Sequence, residues 1–372
     1  MPDHIHLRDL LGKNTMVSAP ELVIDEGGGV LRCVACGHRC PIRDGRTGVC
    51  RVRFNNAGTI RVPTGYVAGL QIDPIEKKPF YHVYPGRDAL SFGMLGCDYH
   101  CSYCQNWVTS QALRDDQAVS MPRFCDPATL ADLAVKHHAP VVVSTYNEPL
   151  ITADWAMMVF REAADRGVKC GFVSNGNATP EVLEYIRPLV DLYKVDLKGF
   201  DDRKYRALGG ALANVLDTIR LLKKMDFWIE IVTLTVPGFN DSDDELAKIA
   251  DFIAGVSVDI PWHVTAFHPD YKMTDPGPTT VETLLRAYDI GKRAGLRFVY
   301  AGNTPGAVGE REHTNCPHCD TVVLRRMGFN VLENRMIGNA CPNCRKVLPG
   351  IWEASAQAST GGTRVPRSIA IR

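Results

Sequence analysis

The chain has 372 residues, of which 42 are Lys or Arg and 42 are Asp or Glu, so its formal charge is zero. This balance gives no general attraction to nucleic acid or to an acidic membrane surface. No apolar run reaches the roughly 18 residues of a membrane span, and the charged N-terminus lacks the apolar core of a secretory signal. We therefore expect a cytoplasmic protein, long enough for two or three domains or for one large barrel.

Eleven of the thirteen cysteines fall into three groups with spacings typical of metal ligands. Such groups indicate a reducing compartment and metal ligation rather than disulfides. The first group, C-x2-C-x3-C-x9-C, lies among Gly and Pro residues and comprises Cys33, Cys36, Cys40 and Cys50. Its spacing suits zinc or a [4Fe–4S] cluster. We predict an N-terminal four-cysteine knuckle, which together with a connector forms a first region, residues 1–87.

From about residue 88 to residue 305, short β-branched runs alternate with helical patterns. Strands are predicted at 89–95, 140–146, 169–174, 192–197, 228–236, 262–267 and 297–301. Helix-start signals lie between them, such as Asp126 before Pro127. This alternation predicts parallel βαβ units. Because six or seven units are fewer than an eightfold barrel needs, we expect an open α/β fold, a partial (β/α)6 TIM-like barrel.

Polar signatures follow the strands of this predicted barrel where each strand ends. After the first strand comes a loop with the spacing C-x3-C-x2-C, formed by Cys97, Cys101 and Cys104. An iron–sulfur cube is normally held by four thiolates, so three would leave one iron open. The next strands end in YNEP at 146–149, SNGN at 174–177 and DLKG at 196–199, and His268 follows the sixth strand. Since catalytic groups of parallel barrels lie on these loops, we predict an active site at this rim.

The third cysteine group has the spacing C-x2-C-x21-C-x2-C and comprises Cys316, Cys319, Cys341 and Cys344. Two knuckles of this kind can present four sulfurs tetrahedrally, which predicts a zinc-ribbon-like module over residues 306–352. A rubredoxin-like single iron or an auxiliary cluster fits the same spacing. The remaining residues, 353–372, are small and polar, and we predict a flexible tail.

The three-cysteine loop, with Tyr103 before its last cysteine, resembles the radical S-adenosylmethionine (SAM) superfamily over roughly residues 88–305. YNEP, SNGN, DLK and TVPGFNDSDDE are similar to motifs of glycyl radical enzyme activating enzymes, of which pyruvate formate-lyase activating enzyme is one. The N-terminal knuckle, DPIEKKPFYHVYPG, STYNEP and PGIW together resemble the radical SAM component of the AmmeMemoRadiSam system. Asn147 departs from the second Gly of the Gly-Gly-Glu-Pro motif, and Val173 departs from an Asp that often helps to hold a cation.

The resemblance implies that the three-cysteine loop holds a [4Fe–4S] cluster, whose open iron is chelated by the amino and carboxylate groups of SAM. Glu148 would accept a hydrogen bond from the SAM amino group, supported by backbone from 146 to 148. Ser174 and Asn175 would lie along the methionine and ribose. The full set of residues implied to bind SAM is Tyr103, Tyr146, Asn147, Glu148, Ser174, Asn175, Asp196, Lys198 and His268.

In the same reading, Asp196 and Lys198 would face the ribose or carboxylate end of SAM. His268 would reach the ribose from the opposite side, and Tyr103 would lie near the adenine. The implied chemistry is reductive cleavage of SAM to a 5′-deoxyadenosyl radical, which abstracts hydrogen from a substrate. The implied partners are SAM, an electron donor such as flavodoxin or ferredoxin, and Memo-like and AMMECR-like proteins.

Two alternatives to this function remain open on the sequence. A glycyl radical enzyme activating enzyme would act on a glycine of a partner protein, which would acquire a radical or a changed mass. A zinc-ribbon binding protein with a vestigial cluster loop would neither hold iron in that loop nor cleave SAM. The charged residues at the predicted rim argue against this last alternative.

Overall fold

The computed structural model describes residues 12–118, 120–353 and 365–371. Within these residues, the centre of the fold is a nine-stranded sheet with the spatial order β8-β7-β6-β5-β4-β3-β2-β1-β9. Its strands, numbered along the chain, are β1 (Gly69–Pro74), β2 (Asp88–Gly93), β3 (Val141–Ser144), β4 (Lys169–Ser174), β5 (Leu192–Asp196), β6 (Trp228–Thr235), β7 (Trp262–Ala266), β8 (Val299–Gly302) and β9 (Arg367–Ser368).

Strands β2 to β8 are parallel, and helices form the crossovers between them. The α-helices span Trp107–Ser110, Pro127–Lys136, Ala153–Asp165, Pro180–Ile186, Asp202–Leu208, Leu212–Lys224, Asp243–Val256 and Val281–Arg293. Short 3-10 helices span Pro20–Leu22, Ile75–Lys77, Pro149–Thr152 and Gly309–Glu312. Asp126 caps its helix by accepting a hydrogen bond from the Thr129 amide (2.8 Å), as its position before a proline predicts.

The predicted α/β alternation is confirmed, because each of the predicted strands has a counterpart among β2 to β8. Closure of this sheet into a partial barrel stays a prediction. The sequence missed β1 and β9 at the edge of the sheet, where β1 pairs antiparallel with β2 and β9 pairs antiparallel with β1. Most of the predicted tail, residues 354–364 and 372, lies outside the described residues.

Smaller antiparallel sheets flank the central sheet on the N-terminal side and at the C-terminal module. Two N-terminal sheets consist of Thr15–Val17, Phe54–Asn56 and Thr59–Pro63, and of Val23–Asp25, Val30–Cys33 and Pro41–Arg43. A further pair joins Tyr66–Val67 to Arg123–Phe124. The C-terminal sheet contains Thr314–Asn315, Val322–Met327 and Asn330–Asn334, and its last two strands form a hairpin between the two pairs of C-terminal cysteines.

A buried ion pair fixes the N-terminal region to the central fold. The guanidinium of Arg53 pairs with the carboxylate of Asp154, and each side chain is 1% exposed. Arg53 also donates to the Ile151 carbonyl (2.8 Å) and the Ser18 hydroxyl (3.0 Å), while Asp154 accepts from the Ala19 amide (2.7 Å). Both charges are therefore well hydrogen-bonded, which a buried pair requires.

We expect Asp154→Ala to lower the free energy of unfolding by about 3–5 kcal/mol, because it leaves the Arg53 charge buried and unpaired. The measurement is urea denaturation of the variant against the parent protein. Asp217→Ala is the matched control, because it breaks an exposed pair with Arg220 (2.7 Å) and should cost about 0–1 kcal/mol. Equal losses in the two variants would contradict the anchoring role of the buried pair.

Candidate active site

A cavity of about 100 Å³ lies at the carboxyl ends of β2 to β5, and all three cysteines of the C-x3-C-x2-C loop line it. Cys97 Sγ accepts a hydrogen bond from the Tyr99 amide (3.3 Å), and Cys104 Sγ lies 3.2 Å from Ser110 Oγ. Burial raises the pKa of the Cys101 thiol to about 12. A thiolate at this position therefore needs a cation beside it, which a metal centre supplies.

The carboxylate of Glu148 lies in the wall of this cavity and is 2% exposed. It accepts hydrogen bonds from Ser174 Oγ (2.7 Å), the Asn175 amide (2.8 Å) and the Leu150 amide (3.2 Å). Burial, followed by the negative charge of Asp98, raises the pKa of Glu148 to about 8. These contacts bring the YNEP and SNGN segments together. An ammonium group bound beside the Glu148 carboxylate would stabilise its charged form.

YNEP has Tyr146 and Asn147 where the Gly-Gly-Glu-Pro motif has two glycines, and the structure shows how both side chains are accommodated. Tyr146 has a φ of +68°, the left-handed region that glycine adopts most easily. Asn147 Oδ1 accepts a hydrogen bond from the Met94 amide (3.0 Å), so its side chain fixes the start of the cysteine loop. The backbone conformation is thus compatible with a side chain at both positions, and the Asn147 side chain has a structural contact of its own.

Asp98 is a buried member of the site that the sequence reading missed. Its carboxylate accepts hydrogen bonds from Asn175 Nδ2 (2.7 Å) and Asn177 Nδ2 (2.8 Å), and it lies 3.9 Å from His38 Nε2. These contacts join the cysteine loop to the SNGN turn and to the N-terminal knuckle. Its place directly after Cys97 was visible in the sequence, but nothing local showed that the side chain turns toward β4.

The DLKG segment contributes a carboxylate and an ammonium group to the same cavity. Asp196 pairs with Lys198 (3.6 Å) and also with Lys194, which lies on β5. The sequence reading did not include Lys194, which is buried. Alternation along β5 places Lys194 and Asp196 on the same side of the strand, and that spacing could have identified Lys194.

The structure brings most of the residues implied to bind SAM to one cavity, with two exceptions. Tyr103 is buried against Phe239, with ring centroids 5.7 Å apart, and lines an adjoining cavity. His268 is exposed and lines neither cavity, although its Nε2 lies 3.1 Å from Gln105 Nε2. Its implied contact with ribose therefore stays a prediction that this geometry does not support.

Comparison with known proteins agrees with this geometry. A family model described as the radical SAM superfamily matches residues 93–253. An uncharacterized protein from Methanocaldococcus jannaschii is 36% identical over 302 residues, which cover 81% of this chain and 89% of that protein. A pyruvate formate-lyase-activating enzyme from Staphylococcus aureus is 25% identical over 165 residues, or 42% of this chain and 66% of that enzyme. The chain belongs to the radical SAM superfamily.

A solved structure of Streptococcus suis SuiB bound to S-adenosylmethionine has a TM-score of 0.47 and 12% identity to this radical SAM enzyme. The matched region covers 62% of this chain and 53% of the SuiB chain. Within residues 12–118, 120–353 and 365–371, no helix combines the length and apolar character needed to cross a membrane.

The cysteine loop of this radical SAM enzyme fits the iron–sulfur cluster that its family implies. Among the described residues, only the C-terminal cysteines form a group of three or more metal-binding side chains whose ligand atoms lie within 4.8 Å of one another. The three sulfurs of the loop do not all lie within that limit, although all three cysteines line one cavity. A cube takes one thiolate on each of three irons, so it needs a wider spacing than one tetrahedral ion.

The four C-terminal cysteines converge as a single-ion site requires. Cys316 Sγ lies 3.5 Å from Cys344 Sγ, and Cys319 Sγ lies 3.7 Å from Cys341 Sγ. The structure is therefore compatible with the predicted four-cysteine site, and the identity of its metal stays a prediction.

The cysteines of the N-terminal knuckle, Cys33, Cys36, Cys40 and Cys50, do not form a comparably tight group in the described chain. Their segment is nevertheless ordered, because the Cys33 amide donates to the Cys40 carbonyl (2.9 Å) and the Gly37 amide donates to the Asn177 carbonyl (2.8 Å). The knuckle thus packs against the SNGN turn, and the choice between zinc and a [4Fe–4S] cluster remains open.

Proposed function

We propose that this enzyme cleaves SAM reductively at a [4Fe–4S] cluster held by Cys97, Cys101 and Cys104, and abstracts hydrogen from a substrate. The observation that carries the proposal is the one cavity that these cysteines share with Glu148 and Lys198. When bound, the cluster and SAM supply an electron and a 5′-deoxyadenosyl radical. The protein's part is to bind and orient SAM and the substrate and to exclude water from the site.

The residues of the cavity have distinct parts in this proposal. Glu148 accepts hydrogen bonds from the SAM ammonium, and Ser174 and the Asn175 amide hold its carboxylate in position. Asp196 accepts from ribose hydroxyls, while Lys198 donates to the SAM carboxylate. All of these residues line the cavity.

The experiment that tests this function is anaerobic reconstitution with iron and sulfide, followed by incubation with SAM and dithionite. We expect 5′-deoxyadenosine, detected by mass spectrometry, together with an electron paramagnetic resonance signal that SAM perturbs. A reconstituted protein that holds a cluster but forms no 5′-deoxyadenosine would contradict the proposal. Adding flavodoxin, ferredoxin or Memo-like and AMMECR-like proteins extends the same assay to the proposed partners of an AmmeMemoRadiSam-type system.

A second candidate function is activation of a glycyl radical enzyme. It is favoured by the similarity to the Staphylococcus aureus pyruvate formate-lyase-activating enzyme. A stable glycyl radical on a purified partner protein would support this function, whereas a changed mass on a small molecule or another residue would oppose it.

We expect Glu148→Gln to weaken SAM binding by about 10- to 100-fold, because a neutral amide loses the charge-assisted contact with the ammonium. Cluster content should remain that of the parent protein. The measurement is SAM titration of the reconstituted protein, with exposed Glu184→Gln as the matched control. An unchanged affinity in Glu148→Gln would show that YNEP does not bind the SAM amino group.

The raised pKa of Glu148, about 8, also predicts the pH dependence of this binding. Below that pH the carboxyl group is protonated in the free protein, so binding of an ammonium must release the proton. The affinity of the parent protein for SAM should therefore rise with pH up to about 8, by at most about tenfold per unit. The same titrations repeated from acidic to alkaline pH should show this rise, and Glu148→Gln should abolish it.

A further inference from the structure

A second cavity of about 340 Å³ adjoins the candidate SAM site and extends toward β6, β7 and the C-terminal module. It shares Cys101, Cys104 and Lys198 with the first cavity. Its remaining walls include the apolar side chains of Val232, Leu234 and Phe329. A molecule in this cavity would lie beside the cluster loop and in contact with the turn of the C-terminal hairpin.

Lysines outnumber carboxylates among the residues that line this second cavity. Among the described residues, the lysines that line it are Lys77, Lys78, Lys194 and Lys198, and the one carboxylate that lines it is Asp196. A further carboxylate, Asp73, lies behind the wall and pairs with Lys77 (3.0 Å) and Lys78 (2.6 Å). Asp196 likewise forms ion pairs with Lys194 and Lys198. Two carboxylates therefore face four ammonium groups, which leaves an excess of positive charge.

Two of these lysines, Lys78 and Lys194, are buried, and a buried positive charge needs an anion more than a surface charge does. Lys78 is 4% exposed, and burial lowers its pKa to about 8 against the opposing effect of Asp73. Lys78 Nζ also donates to the Tyr146 hydroxyl (3.1 Å), which itself donates to Asp73 (2.7 Å). These contacts hold the ammonium in position at the cavity wall, where screening by water is weak.

The proposed cofactors do not neutralise this excess. In the proposed function Glu148 binds the SAM ammonium and Lys198 binds the SAM carboxylate, and no group of SAM is assigned to Lys77, Lys78 or Lys194. The remaining positive charge is therefore available to the substrate. An arrangement of several lysines around apolar walls is complementary to an anion attached to an apolar group.

We propose that the substrate of this enzyme is a small organic dianion, a dicarboxylate or a phosphate monoester, with an apolar part. Its negative groups bind at Lys77, Lys78 and Lys194, and its apolar part lies against Leu234 and Phe329. This inference rests on the proposed function, because only a substrate beside the SAM site can meet the 5′-deoxyadenosyl radical.

The test uses the anaerobically reconstituted protein with SAM bound. Isothermal titration calorimetry measures binding of phenyl phosphate, phenylsuccinate and the neutral 2-phenylethanol. The variants are Lys77→Met and Lys194→Met. Lys77→Met leaves Asp73 paired with Lys78, and Lys194→Met leaves Asp196 paired with Lys198. The matched control is Lys248→Met, which removes the same charge from an exposed helical pair with Asp244. Circular dichroism and iron content confirm that each variant is folded and loaded.

At least one dianion should bind the parent protein, and its affinity should fall about tenfold or more in both cavity variants. Lys248→Met should bind as the parent does, and 2-phenylethanol should not bind. Binding of phenyl phosphate alone would assign a phosphate monoester, and binding of phenylsuccinate alone would assign a dicarboxylate. The proposal is overturned if neither dianion binds up to about 10 mM, if the neutral probe binds equally well, or if either cavity variant retains parental affinity.

Formation of 5′-deoxyadenosine without any probe is measured on the same samples. Absence of this product would refute the proposed function, whereas the calorimetric titrations report on the anion site itself. The two failures are therefore distinguishable.

Discussion

Simultaneous replacement of Cys97, Cys101 and Cys104 by Ala should remove about four iron atoms from the reconstituted protein and abolish 5′-deoxyadenosine formation. The three sulfurs line one buried cavity, and this chemistry requires the cluster that they are proposed to hold. Iron and sulfide analysis, electron paramagnetic resonance with and without SAM, and mass spectrometry measure the loss. The matched control is Cys125→Ala with Cys170→Ala, which changes the two cysteines outside the three groups.

The fold around the loop should survive this triple replacement. The loop backbone is held by hydrogen bonds that do not involve sulfur, from the Gly96 amide to the Thr109 carbonyl (3.0 Å) and from the His100 amide to the Leu208 carbonyl (2.9 Å). Far-ultraviolet circular dichroism should therefore match that of the parent apoprotein. If a SAM-perturbed electron paramagnetic resonance signal of the cluster persists in the triple variant, the assignment of these ligands is wrong.

Cys341→Ala with Cys344→Ala should remove about one equivalent of zinc and make the chain beyond residue 310 sensitive to proteases. In zinc-finger peptides the metal contributes about 10–16 kcal/mol of apparent folding free energy. The C-terminal hairpin has too small an apolar core to fold without such support. Metal analysis and limited proteolysis measure both effects, again with the Cys125→Ala and Cys170→Ala protein as control.

This C-terminal module is also joined to the central fold by buried contacts, which decide how far its unfolding spreads. Arg326 donates to the Tyr81 carbonyl (2.7 Å), with its guanidinium carbon 4.3 Å from the centre of the Tyr81 ring. Tyr300, at strand β8, lies within hydrogen-bonding distance of Thr314 (2.8 Å) and of His82 (2.6 Å). Loss of the module should therefore lower the stability of β8, the last parallel strand of the sheet.

SAM cleavage should nevertheless survive in the Cys341→Ala and Cys344→Ala protein, because its proposed residues lie on β2 to β5 and their loops. Turnover of the true substrate should be lost, since Phe329 of the hairpin lines the second cavity. Retention of the metal would show that the ligands are wrong. Loss of the iron at the cysteine loop as well would show that the module belongs to the catalytic fold and that the boundary at residue 306 is misplaced.

The sequence alone was sufficient to predict those features of the fold and the site that local interactions determine. The strands β2 to β8 follow from short β-branched runs between helix-start signals, and these patterns depend on neighbouring residues only. The three cysteines lie within eight positions of one another, so their grouping could be read directly. Because parallel strands bring their carboxyl ends to one edge, the grouping of Glu148 and Asp196 near that loop was also predictable.

Only the tertiary structure decided which side chains meet within that site. Asp98 bonds to Asn175 across 77 positions of sequence, and Arg326 bonds to Tyr81 across 245. The same holds for Lys78, which meets Tyr146 68 positions away. Contacts of this kind depend on strand register, on backbone conformations such as the positive φ of Tyr146, and on rotamers that packing selects. No local pattern encodes these choices, so the excess positive charge beside the cysteine loop became visible only in the folded chain.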